Sequence, residues 1–387
     1  MADIVIIGAG AIGTASALAL KQADSSLEVV VIEPDYSYQY AATGKGTGGI
    51  RQLFTRPENI LLSQVTLEAI DGWQSWGAVG GEPAPDLGWQ QNGYLFAVGD
   101  ADVATLERNY ETQLANGVVA EWIDKPALLE RFPEIVADDL VAAVLSTRDG
   151  WLKPGVFFDV LRRKAAAAGV DFRQGRVASL DHEGSVVRAV RLASGETLSA
   201  AAVVNAAGVR APVIARQLGV ELPVEPMRRH EHYIETGERV SHLPFFKDVH
   251  GLAVHAFHSG ISVGLVDFDH PGGEDFTIDP RDYPDRVLPA LRRRFSGFGE
   301  LTLRDSWTGL YDQNRFDGNM IIGNVPGRAD NLFTACGFSG HGFMHALGVG
   351  RALAELVLYG EYRTLDLSAM GYQRIVDNSY YGEQGVR

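Results

Sequence analysis

The chain has 387 residues, enough for one large core or two linked ones, and its hydrophobic residues form no run long enough to span a bilayer. Acidic residues outnumber basic ones by 49 to 34, a net charge of −15 that argues against nucleic acid or anionic membrane as partner. Cys336 is the only cysteine, which excludes an internal disulfide and a cysteine-built metal cage; the cytoplasm is the expected compartment.

Residues 3–7 are a β-branched run with no charge after Asp3, which predicts a strand buried on both faces. Gly8-Ala9-Gly10-Ala11-Ile12-Gly13 follows at once, residues 14–22 read as a helix, and 28–32 as a second apolar strand closed by Glu33. Gly8 permits the tight turn, Gly10 lets backbone N–H groups approach a pyrophosphate, and Gly13 lets helix and strand pack closely. The helix N-terminus presents free N–H groups and partial positive charge to phosphates. A carboxylate at Glu33 accepts hydrogen bonds from ribose hydroxyls and repels a 2′-phosphate. Strand, turn, helix and terminal acid together point to a bound dinucleotide; they do not separate FAD from NAD. A strand that begins at residue 3 leaves no room for a signal or transit peptide.

After Glu33 a polar aromatic loop leads into residues 41–52, where five glycines exclude a stable helix or strand interior. This loop holds Thr43, Gly44, Lys45, Thr47, Gly48 and Gly49, and Arg51 and Arg56 at its exit favour an anion site over a flexible surface loop. Residues 60–72 read as a helix, 77–93 as a Gly- and Pro-rich crossing between domains, and 93–98 as a strand. Helices are expected at 101–116, 126–132 and 154–169, with a strand at 141–146. Residues 171–200 alternate as short strands, and 201–205 form a separate apolar strand ending in Ala206-Ala207-Gly208. Strands at 230–235, 251–257 and 261–267 form another sheet, 282–294 is a helix, and 308–317 is turn-rich. Short strands at 320–323 and 331–336 precede Gly337-Phe338-Ser339-Gly340-His341-Gly342-Phe343-Met344 and a long apolar helix from 345 to 359. His230 and His232 share one face of a strand, and His255, His258 and His270 crowd the same sheet. Without a well-spaced third ligand they make no metal site; packed or surface histidines, or a weak base near an amine, remain open.

Gly8-x-Gly10-x-x-Gly13, Glu33, the Thr47 to Arg51 loop, Asn205-Ala206-Ala207-Gly208 and Gly337 to Gly342 occur in that order. In this the chain resembles the D-amino-acid oxidase-like (DAO) flavoprotein superfamily, in its sarcosine oxidase and dimethylglycine dehydrogenase branch. The stretch from Tyr311 to Asp366 also resembles a mitochondrial FAD-dependent protein that helps assemble respiratory complex I. The resemblance implies an α/β fold with a discontinuous Rossmann-like FAD-binding domain (1–80, 150–215 and 305–387). An α+β catalytic domain with a mixed or antiparallel sheet would come from 81–149 and 216–304. It places Val177 at the adenine, Thr43 to Gly49 and Ala207–Gly208 along the cofactor, and Gly340 to Met344 at the flavin's pyrimidine edge. Gly309, beside Leu310, stands where monomeric sarcosine oxidases carry the flavin-linking cysteine. The loop at 43–49 also lacks the anchoring histidine of dimethylglycine dehydrogenases, so FAD is expected to be non-covalent. Ser262 stands where an oxidase lysine promotes reaction with oxygen, which leaves oxygen or a quinone or other carrier as acceptor. Met344 replaces one carboxylate-binding lysine, while Arg51 keeps the other half of that cradle; His345 and His258 are further candidates at the substrate.

The activity so implied is hydride transfer to FAD from a small carboxylated secondary or tertiary amine, with hydrolysis of the imine. Alternatives are a 2-hydroxy-acid or polyol-phosphate dehydrogenase, and a non-catalytic FAD-containing assembly factor.

Overall fold

Two eight-stranded sheets organise the chain in a computed structural model that describes residues 2–386. In the first, Ile321–Val325, Ala329–Cys336, Thr197–Asn205, Ala2–Ile7, Val29–Glu33 and Asp171–Gln174 lie in that order. All neighbours in this path are parallel except the edge pair of 321–325 with 329–336. Ile4, Ile6, Val29 and Val31 point to one side, into a core shared with Ala15, Leu18, Val349 and Leu353. Val5, Ile7, Val30 and Ile32 point to the other, against Leu180, Val190 and Ile214. Burial on both faces is why these strands read as continuous apolar runs, and each such side chain contributes about 1.5–3 kcal/mol.

Residues 197–205 form one strand, not two. Its first half pairs antiparallel with Val186–Leu192, and its second half runs parallel to Ala2–Ile7. The helix Ala11–Ala23 crosses the C-terminal helix Gly342–Tyr359 at Gly350, where a Cβ would stand 2.6 Å from the backbone of Ala15. Only hydrogen fits there, so the two helices touch backbone to backbone.

The second sheet runs Leu301–Asn314, Val224–Thr236, Gly260–Leu265, Leu252–Phe257, Phe245–Asp248, Tyr94–Val98, Ala142–Ser146 and Ala120–Asp124. It is antiparallel except where 245–248 meets 94–98, so it is a mixed sheet. The expectation of a turn-rich segment at 308–317 fails for most of its length. Residues 301–314 are a 14-residue strand paired with 224–236 from Leu301 to Asn314, and its ladder outweighs the local turn preference of Gly309 and Asp312. That strand also passes through the expected domain boundary at 304/305, so 305–314 hydrogen-bond with the second sheet. Among the described residues no helix is long and apolar enough to cross a membrane.

Candidate active site

A cavity of about 970 Å³ opens at the C-terminal ends of the first sheet's parallel strands and reaches the face of the second sheet. Gly8, Gly10, Glu33, Thr43, Lys45, Thr47, Gly48, Gly49, Val177, Ala207 and Gly208 line it. So do Arg51, Gly309, Leu310 and the run Gly340, His341, Gly342, Phe343 and Met344. Gly13 and Gly44 shape it from behind: a Cβ on Gly13 would lie 1.9 Å from the Gly8 carbonyl oxygen, and one on Gly44 2.6 Å from that of Tyr38.

The first-sheet end is built for a dinucleotide. Gly8 has φ +100°, and a Cβ there would meet the Ala206 carbonyl oxygen at 2.5 Å, so the turn closes directly on the end of the neighbouring strand. No side chain caps Gly10 at the start of the helix, and the Thr43 hydroxyl takes the Ala11 N–H at 3.1 Å. Other first-turn amides stay available to an anion. The Glu33 carboxylate accepts from Ala9 N–H at 2.9 Å and Asp35 N–H at 3.1 Å, which aims it while leaving lone pairs for hydroxyl donors. These residues fit FAD. Gly309 offers no nucleophile to tether it, and Cys336 is fully buried.

At the other end Arg51 is 3% exposed. Its Nη1 donates to the Leu53 carbonyl at 2.6 Å, Nη2 lies 3.0 Å from His341 Nε2, and its guanidinium sits 4.0 Å from the Phe54 ring centre. Asp149 holds the segment that carries it, accepting from Gln52 N–H and Gln52 Nε2, each at 2.8 Å; burial raises that carboxyl to about 6. Asp312 likewise fixes the glycine turn, its side chain accepting from Gly337 N–H at 2.8 Å and its carbonyl from Ser339 N–H at 3.2 Å. Its carboxyl is also raised to about 6 by burial.

Arg229, Glu231, Lys247, Tyr94 and Tyr311 complete this wall, and none was expected as a site residue from the sequence. Period two was the available signal. It puts Arg229 and Glu231 on the face opposite His230 and His232. His232 turns to Ser306 and Asp282 at 2.8 and 3.0 Å, and His230 accepts from Asp279 N–H at 3.0 Å.

The other candidate histidines lie off the cavity. His258 is exposed at a hairpin tip with φ +52°, its ring edge-on to Phe257. His345 lies at 0% exposure behind Phe54, because the helix turns that face into the core. Burial lowers it to about 3 and keeps it neutral. His255 is lowered to about 3 for the same reason, sandwiched by Phe245 and Trp151 with neither ring nitrogen hydrogen-bonded among the described residues.

That value has a consequence for acid stability. The folded His255 pKa of about 3 lies below its ordinary 6.5, so between them the unfolded chain binds the extra proton. The contribution is therefore complete above about 6.5 and falls with pH, by up to about 1.4 kcal/mol per unit. His255→Phe should lose less melting temperature than wild type between about pH 7 and pH 5. Equal losses would show that His255 takes up no proton on unfolding.

Residues 3–356 match the DAO family, described as FAD dependent oxidoreductase. FAD-dependent oxidoreductase domain-containing protein 1 of Xenopus laevis is 30% identical over 96% of this chain and 82% of its own length. L-proline dehydrogenase from P. horikoshii superposes with a TM-score of 0.84 at 24% identity, covering 98% of this chain and 99% of that one. Glycine oxidase from Geobacillus kaustophilus does so with a TM-score of 0.81 at 21% identity, covering 95% and 97%. The family match spans both the glycine turn at residue 8 and the one at residue 340, the two ends of the cavity. This chain belongs to the DAO family of FAD-dependent oxidoreductases.

Proposed function

We propose that this enzyme oxidises a small secondary or tertiary amine bearing a carboxylate, an N-substituted glycine or related amino acid, at the carbon–hydrogen bond next to nitrogen. One observation carries the reading. Arg51, Arg229 and Lys247 border the second-sheet end of the cavity, and no carboxylate among the described residues lies within ion-pair distance of any of them. One buried and two half-buried cations with no carboxylate in contact call for an anionic ligand. L-proline dehydrogenase and glycine oxidase, on the same fold, are named for carboxylated amines, which supports the same choice.

FAD bound along the first-sheet turns supplies the acceptor for hydride, a pair of electrons with one proton. The chain's own residues bind and orient. Arg51 is held by the Leu53 carbonyl and by His341, so its fork is preset before a carboxylate arrives. Phe54 excludes water from one side of that contact. The substrate nitrogen must shed its extra proton, because an ammonium has no lone pair to expel hydride. After hydride loss the iminium takes up water, and the carbon–nitrogen bond breaks to give a carbonyl compound and a smaller amine. The product is glyoxylate or formaldehyde, depending on which carbon of an N-methylglycine reacts. Oxygen, a quinone or another electron carrier then removes the two electrons.

Anaerobic mixing with N-alkyl amino acids, D-amino acids and 2-hydroxy acids tests this. Flavin absorbance should bleach with N-alkyl amino acids. Bleaching by hydroxy acids alone would replace the amine reading with an alcohol dehydrogenase. Bleaching by none of the three classes would favour an FAD protein that assembles or binds.

A further inference from the structure

The wall opposite the first sheet carries more charge than one carboxylate needs, and the charges are ordered. Lys247 pairs across the sheet with Ala253, and Ala253 with Gly264. Beyond Gly264 lies the strand of Glu231 and Arg229. Three strand gaps therefore separate Lys247 from that strand, about 14 Å between backbones. Small side chains make the floor between them. The space over Gly264 is filled from the far strand: a Cβ there would lie 2.6 Å from Glu231 Oε2 and 3.4 Å from Arg229 Nη2.

Arg51 flanks Lys247. Its guanidinium is 5.1 Å from the Phe96 ring centre, and Phe96 is the strand neighbour of Lys247. Arg229 stands at the other end, 5.2 Å from the Tyr311 ring centre and paired with Gly309. From one end to the other the wall thus reads cation, carboxylate, cation. Neither the Lys247 ammonium nor the Arg229 guanidinium has a hydrogen-bond or ion-pair partner among the described residues. Glu231 accepts one hydrogen bond, from Ser262 Oγ at 2.5 Å, and keeps its other oxygen over Gly264.

Resting on the amine reading above, we propose that the substrate is an iminodicarboxylate, a secondary amine with a carboxylate on each side of nitrogen, such as an N-carboxymethyl amino acid. One carboxylate meets Arg51 and Lys247, the ammonium enters beside Glu231, and the second carboxylate meets Arg229. A monocarboxylated amine would leave one end of the wall half-buried and unpaired, which is costly. Burial, with Arg51 and Arg229 nearby, lowers the Lys247 ammonium well below its usual value against the pull of Glu231 and Asp248. Burial raises the Glu231 carboxyl against Ser262, Arg229, His232 and Lys247. A ligand charged minus, plus, minus favours the ionised form of both.

The oxidation balances as before: hydride leaves one carbon next to nitrogen, the nitrogen loses its protons, and water splits the imine into a 2-oxo acid and an amino acid. Holoenzyme binding of two unreactive acids isolates the charge pattern. Glutarate has the length of iminodiacetate with methylene in place of the amine; butyrate has one carboxylate. Flavin absorbance perturbation or calorimetry should show glutarate bound roughly tenfold or more tighter than butyrate, the least expected of one further charge-assisted contact. Arg229→Gln should bring that ratio towards one, with flavin content reporting that the variant is folded. Lys247→Met serves the same purpose if Arg229→Gln does not yield holoenzyme. In anaerobic reduction iminodiacetate should half-saturate at a lower concentration than N-methylglycine. A ratio near one in wild type, or one unchanged in the variant, would overturn the proposal. So would reduction by N-methylglycine with no advantage for iminodiacetate, which leaves the amine reading standing; reduction by hydroxy acids alone removes both.

Discussion

Arg51→Ala should slow flavin reduction by carboxylated amines roughly thirty- to a thousandfold, the effect of losing a buried charge-assisted contact of about 2–4 kcal/mol. Arg51→Lys should recover only part of this, because an ammonium cannot span the Leu53 carbonyl, His341 and a carboxylate together. The alanine variant also strands the buried Leu53 carbonyl, so FAD content and melting temperature must be read beside the rate. Wild-type reduction by Arg51→Ala would remove the arginine from the substrate site. Loss of FAD would place it at the cofactor instead.

Gly13→Ala should be the most damaging single methyl in the chain. The new Cβ would stand 1.9 Å from the Gly8 carbonyl oxygen and 3.3 Å from Ile6, and the nearer obstacle is backbone that cannot rotate aside. Either the helix Ala11–Ala23 moves off the strand, opening the turn that receives the pyrophosphate, or the protein fails to fold. We expect insoluble protein or a colourless soluble fraction that FAD does not reconstitute. Full flavin content at wild-type melting temperature would mean that helix and strand can separate without cost, against the packing described here.

What the sequence disclosed follows from where the constraints are local. Gly8, Gly10, Gly13 and Glu33 lie within one strand–turn–helix–strand unit, and each answers to a contact within that unit or at its edge. The glycine turn at 337–340 was legible for the same reason, with Gly337 and Gly340 both at positive φ. The charged wall of the cavity was not legible, because it is assembled across four strands brought together from three stretches of chain. Lys247 lies in a strand of four residues, too short to show its period, and its neighbours Ala253 and Gly264 look like ordinary small residues until they are paired. His230 and His232 drew attention by residue type, yet the charged side chains that border the cavity, Arg229 and Glu231, lie on that strand's other face. Residues 308–314 were misread because Gly309 and the Asp and Asn residues after it are turn formers by composition, and only the facing strand reveals the ladder.

The backbone contact at Gly350 bears on how the protein is made. The helix it touches, Ala11–Ala23, leaves the ribosome more than three hundred residues ahead of the helix Gly342–Tyr359. Val349, Ala352 and Leu353 help to cover Ile4, Ile6, Val29 and Val31. During translation the nucleotide-binding unit therefore waits, with one side of its sheet bare, until more than three hundred further residues have been added. At about 5–20 residues per second that is a delay of tens of seconds, long enough for chaperones to matter and for an early stop to leave a sticky fragment. Cofactor capture waits until the helix Gly342–Tyr359 has emerged and closed over Ala11–Ala23.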